Sequence, residues 1–133
     1  MERSHRLARL VKVQNQLKAV HETNRAAALQ EAHAAEARAE DIMARKGGDG
    51  SLSEVFPDVY ERGISRAFEN RDRALAKAEA EAEKVAAETA RARLLERNHR
   101  EASRKEERQR EERAGLENVE RMLAARRTSL DHK

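Results

Sequence analysis

The chain contains no cysteine and no tryptophan, one proline, five glycines, one tyrosine and two phenylalanines in 133 residues. Each shortage removes a class of protein. Without cysteine there is no disulfide framework, no thiolate nucleophile and no cysteine-held metal. Hydrophobic residues make up 38% of the chain, but much of that share is alanine. Alanine buries little area, so a compact globule with several packed layers is excluded. The scarcity of proline and glycine argues equally against disorder. No apolar run approaches the roughly 18 residues needed to span a bilayer. The opening MERSHRLARLVK lacks the uncharged apolar core of a signal peptide, so a cytoplasmic protein is expected. Charge of one sign does not segregate either: 28 Lys and Arg are interspersed with 25 Asp and Glu. That mixture suits a solvated helix surface better than a basic stripe that binds nucleic acid.

What remains is Ala, Glu, Arg and Leu, all strong helix formers, in a composition typical of long helices and coiled coils. The uniformity breaks once, at KGGDGSLSEVFPDVY, residues 46–60. Gly47, Gly48 and Gly50 can end a helix through positive φ, and Arg45 and Lys46 sit where cations favour a helix C-terminus. Ser51 and Ser53 are candidate caps, and Ser51 with Glu54 fits a capping box. Pro57 follows too soon for a helix to run on from there, so residues 51–55 read as a loop or one helical turn. Pro57 suits the first position of the next helix, with Asp58 and Glu61 in its first turn. The expected order is a helix over about 2–46, a loop over 47–56 and a helix over about 57–128, all in one domain spanning 1–133.

Spacing then assigns a seam to each helix. In the first, Leu10, Val13, Leu17, Val20 and Asn24 step by three and four. After one extra step of four, a stutter, Ala28, Ala32, Ala35, Ala39 and Ile42 continue. In the second, Ile64, Phe68, Arg71, Leu75, Ala78, Ala82, Val85, Thr89, Ala92 and Leu95 alternate by four and three. Two such helices joined by a short loop predict an all-α, antiparallel two-helix coiled-coil hairpin. One long interrupted helix that dimerises is the competing arrangement, and the glycine cluster disfavours it.

The arms are unequal, by on the order of 40 Å at about 1.5 Å per residue. The chain start near Arg3 is expected to face His99 or Arg100, and everything later lacks a partner in this chain. SRKEERQREER, residues 103–113, has no apolar side chain. Glu96 and Arg100, Glu101 and Lys105, and Glu106 and Arg110 are acid-then-base pairs at i, i+4 that support a lone helix. Beyond Gly115 a stripe of Leu116, Val119 and Leu123 returns, with Met122 beside it. It is either a docking surface or the start of a tail that bends at Gly115 and folds back on the hairpin. Near the loop, Phe68 is expected first to plug the open end of the coiled coil, and Tyr60, Ile64 and Phe68 are the candidate residues for contact with another protein.

Chemistry is sparse. The histidines fall at 5, 21, 33, 99 and 132, so no helical face presents two imidazoles to a metal. GGDG lacks the lysine and helix of a phosphate-binding loop. A two-helix hairpin has no concave dry pocket to shift a catalytic pKa. Neither an enzyme nor a cofactor is expected.

These features resemble the FliJ family of flagellar export proteins and, more distantly, the YscO-type stalk proteins of virulence type III secretion. The likeness in architecture covers nearly the whole chain. It is carried locally by RLARLVKVQ at the start, by FPDVYERGISRAFENRDRAL after the loop, and by LLERNHREASRKEERQREERAGLENV toward the end. The middle stretch is similar to the opening of the second helix in alphaproteobacterial members. The alanine-rich seam and the short first helix depart from the family pattern.

The resemblance implies a non-enzymatic stalk of the flagellar export apparatus. It would bind the export ATPase hexamer and promote its assembly, contact the export gate membrane protein and handle substrate chaperones. It would be peripheral at the inner face of the cell membrane without inserting. By position, Leu116, Val119 and Leu123 would enter the ring, and Tyr60 and Ile64 would face the gate. The alternatives are a coiled-coil scaffold or dimerisation protein unrelated to secretion, and, disfavoured by the interleaved charges, an RNA-binding arm.

Overall fold

The structure is a computed structural model that describes residues 2–48, 52 and 54–131. It is 94% helical, with two long helices and no strand among the described residues. Helix α1 covers Arg3–Lys46 and α2 covers Pro57–Asp131, and they form an all-α two-helix hairpin. Punctuation in the sequence explains the boundaries. The Glu2 carbonyl accepts the N–H groups of His5 and Arg6, which opens α1. Gly47 N–H donates to the Met43 carbonyl and Gly48 N–H to the Arg45 carbonyl, closing α1 beside the two expected cations, Arg45 and Lys46. Pro57 takes the first position of α2, where its missing N–H costs nothing, and Asp58 lies in the first turn. Between the helices, Val55 and Phe56 both donate to the Leu52 carbonyl, which makes one helical turn. Ser51, Ser53 and Gly50, expected as caps and helix breaker, lie outside the described residues.

The contacts divide into two compact units, and both helices pass through both. One unit is Gln14–Arg91. Its core is alanine: Ala28, Ala32, Ala35 and Ala39 from α1 against Ala67, Ala74 and Ala78 from α2, all buried. Alanines on both sides let the backbones come close, at the cost of little apolar area per layer. At the turn end the approach is close enough that a Cβ on Gly63 would stand 3.2 Å from Ile42 Cδ1. Toward the other end the interface turns polar. His21 Nδ1 lies 2.7 Å from Glu81 Oε2, and the Gln14 amide reaches the Glu88 carbonyl at 3.5 Å. Glu88 itself is buried; its Oε1 accepts from Arg91 at 2.9 Å and its Oε2 has no partner.

The other unit is Met1–Val13 with Ala92–Lys133. Leu7, Ala92 and Ala102 are its buried apolar residues, and Ser4 is buried with them. Ser4 N–H donates to Glu106 Oε1 at 3.1 Å, and its hydroxyl donates to Glu106 Oε2. α1 has no acid in its own first turn, so a carboxylate from α2 caps it instead.

Two expectations of phase are corrected here. Leu10, Val13, Leu17 and Val20 are not the seam of α1; they are 50%, 52%, 45% and 52% exposed. Buried and half-buried positions at this spacing are Ser4, Leu7, Val11, Gln14, Lys18 and His21, then Ala28, Ala32, Ala35, Ala39 and Ile42, with Leu29, Glu36 and Lys46 half-buried beside them. With Arg25 filling the remaining place, that is a heptad without a stutter. The alanine half fixes the phase, and the same heptad count continues back onto polar residues. In α2, Ile64, Arg71, Ala78, Val85, Ala92 and Leu95 hold seam positions as expected. Their partners are Ala67, Ala74, Glu81 and Glu88, each one residue before the expected Phe68, Leu75, Ala82 and Thr89. At 67 and 74 alanine stands where Phe68 and Leu75 would hold the alanine-lined backbones apart.

The register is corrected too: Arg3 lies beside Asn98, Glu101, Ala102 and Lys105, not His99 or Arg100, and Ser4 meets Glu106. Past Glu106 every residue from 107 to 131 is exposed, and α2 runs straight through Gly115. A tail that bends at Gly115 and folds back is therefore ruled out.

Candidate docking surfaces

Three apolar surfaces stay uncovered, and each comes from a different local cause. The first is at the turn, in the unit Gln14–Arg91. The helical turn after Leu52 brings Leu52, Phe56, Val59 and Tyr60 onto one side. With Ile42, Arg45 and Gly63 they line a groove of about 600 Å³. The Tyr60 hydroxyl accepts the Leu52 N–H at 3.3 Å, tying the turn to α2. Leu52, Phe56 and Val59 are more than half exposed. Of the expected residues, Tyr60 lines this groove. Ile64 and Phe68 do not; both are half-buried along α2, and the Arg71 guanidinium stands 4.7 Å over the Phe68 ring. Leu52, Val59 and Ile42 were missed as site residues. The i, i+4 spacing of Leu52 with Phe56 and of Phe56 with Tyr60 was the available signal.

The second surface is on α2 in the other unit. Leu116, Val119, Met122 and Leu123 are all half or more exposed, as is Leu130. The structure brings the three expected residues, Leu116, Val119 and Leu123, onto one helical stripe with nothing against it. Its neighbours are solvated; the Glu117–Arg121 pair spans 4.0 Å and both side chains are exposed. The third set is on α1, with Leu10 and Val13 exposed in the unit Met1–Val13 with Ala92–Lys133, and Leu17 and Val20 exposed in the unit Gln14–Arg91.

Three glutamates sit below the usual glutamate range, each because of a partner from the other helix. The Ser4 hydroxyl and then its N–H hold Glu106 down. A hydrogen bond from His21 does so for Glu81, and one from Lys46, with its charge, for Glu61. All three are helix-to-helix ties. Among the described residues no group of three or more His, Cys, Asp or Glu is placed to hold a metal. Likewise no helix there is long and apolar enough to cross a membrane.

The fold and surfaces define a class: a two-helix hairpin whose α2 arm outlasts its partner and whose apolar residues are partly spent outside its core. Comparison with protein-family models, with curated proteins and with solved structures finds no match for the chain.

Proposed function

We propose that the chain is the non-enzymatic stalk of a type III export apparatus, the flagellar one by its resemblance to the FliJ family. In this reading the arm of α2 beyond Glu106 enters the hexameric ring of the export ATPase and promotes its assembly or activity. The turn end, with Tyr60, faces the export gate, and substrate chaperones are delivered there. The protein works peripherally at the inner face of the membrane.

One observation carries the reading. Residues 107–131 are a continuous exposed helix that ends in an apolar stripe. A helix solvated on all sides gains no stability from Leu116, Val119 and Leu123, so a partner is the physical reason to keep them. A rotary stalk likewise has one helix projecting past the other. The perturbed glutamates, each tied to the opposite helix, favour a structural role over catalysis. The test is site-specific photo-cross-linking from position 119 in cells that carry the export system. Cross-links to the ATPase that vanish when Leu116 and Leu123 are both changed to Asp support the reading. Cross-links only to other proteins contradict it.

A further inference from the structure

The alanine half of the unit Gln14–Arg91 carries opposite charge on its two flanks. In each helix the residue before a seam position turns to one flank and the residue after it to the other, because each step rotates about 100°. The preceding residues of both helices meet in one groove of about 470 Å³, floored by Ala35 and Ala74. Its walls hold Arg38, Arg73 and Lys77 against one acid, Glu31. The following residues therefore share the opposite flank. Directly after the buried Ala28, Ala67 and Ala74 come Leu29, Phe68 and Leu75. Leu29 and Phe68 are half-buried and Leu75 is 45% exposed, so apolar area is left on the surface there. Around them stand Glu36, Glu40, Asp72 and Glu79, each likewise directly after a seam residue. No lysine or arginine follows a seam residue from Ala28 to Ile42 or from Ile64 to Glu81. Arg71, itself at a seam position, leans over the Phe68 ring and pairs with Asp72 at 3.0 Å. Glu36, Glu40 and Glu79 have no ion-pair partner among the described residues.

We infer that this flank docks a basic amphipathic helix of another protein, its apolar stripe on Leu29, Phe68 and Leu75 and its lysines or arginines toward Glu36, Glu40 and Glu79. The inference does not rest on the export reading. A face built from two helix sides has no strand edge to extend, so helix against helix is the mode of recognition it offers. Leu29 to Glu36 and Phe68 to Leu75 are steps of seven, which match the repeat of a helix laid alongside. The unpaired carboxylates set the sign of the partner: they steer a positive helix in and repel an anionic lipid surface. The same flank of a second copy brings the same acids and is repelled. The opposite groove, with three cations and one acid, rejects the same helix, so the hairpin distinguishes its two sides by charge.

The test uses the full chain and a fluorescein-labelled synthetic helix of about three heptads, with Leu at a and d and Lys at e and g. A matched peptide carries Glu at e and g. Fluorescence anisotropy should show binding of the Lys peptide that weakens as salt rises, and little binding of the Glu peptide. Glu40→Lys with Glu79→Lys should weaken the Lys peptide about tenfold or more. Glu31→Lys with Asp41→Lys makes the same change in net charge on the opposite flank and should weaken it by about twofold at most. Leu75→Gln, which leaves every charge in place, should weaken it about threefold or more. All five positions are exposed, so the melting temperatures should hold. The milder pair Glu40→Gln with Glu79→Gln should weaken binding in the same direction. Equal binding of the two peptides, no binding of either, or equal loss from the two flank variants overturns the inference. Self-association in sedimentation that Glu40→Lys with Glu79→Lys abolishes makes a second copy the occupant and overturns it too. So does binding to phosphatidylcholine vesicles that Leu75→Gln abolishes while the Lys peptide stays unbound.

Discussion

Ala39 and Ala37 lie two residues apart on α1, and the same substitution at each should have very different consequences. Ala39 is 0% exposed, and Ala37 is exposed. Ala37→Asp loses helix propensity, about 0.6 kcal/mol. Ala39→Asp loses that and also places a carboxylate between two close-packed helices. An uncompensated buried charge costs about 3–5 kcal/mol. The difference amounts to a melting-temperature gap on the order of 10 °C, read by circular dichroism at 222 nm. Lowering the pH should narrow the gap, since protonation removes the charge that burial penalises. Leu17→Asp belongs in the same series. Leu17 is 45% exposed, so its substitution should behave like Ala37→Asp. If Leu17→Asp melts as low as Ala39→Asp, the heptad phase described above is wrong.

Two further outcomes follow from the interface. Glu88 is buried at a seam position with one carboxylate oxygen unpartnered, so Glu88→Ala should raise the melting temperature, by about 1 kcal/mol of stability; a drop would show that the charge is needed there. Glu61, Glu81 and Glu106 are held below the usual glutamate range, so their ties are fully present above that range and are lost as pH falls through the lower folded values. Thermal melts from pH 7 to 3 should decline most steeply below the ordinary glutamate pKa, and Glu81→Gln with Glu106→Gln should flatten that decline.

The helix boundaries were legible because glycine and proline act locally. Gly47 and Gly48 end α1, and Pro57 opens α2 within a residue of where sequence places them. In α1 the phase was legible only where alanine dominates. In the first half of α1 two patterns compete at the same period, one of Leu10, Val13, Leu17 and Val20 and one of Ser4, Leu7, Val11, Gln14, Lys18 and His21. Apolar size favours the first. The structure takes the second, because it continues the alanine seam without a stutter and because α2 supplies Glu81 and Glu106 to answer His21 and Ser4. Those partners lie 60 and 102 residues away in sequence, beyond any local pattern. The same competition hid the groove at the turn: Leu52, Phe56 and Val59 converge only once the turn between the helices is formed.

The arm of α2 beyond Glu106 carries the functional reading, and its removal tests that reading most directly. Truncation after Arg113 deletes residues 114–133, and every described one among them, 114–131, is exposed. The melting temperature should therefore stay within about a degree of the full chain, since surface changes of this kind rarely exceed ~0.5 kcal/mol. The same truncated chain, added to purified export ATPase, should fail to stimulate hydrolysis that the full chain stimulates. A truncated chain that melts normally and still stimulates the ring fully would contradict the account.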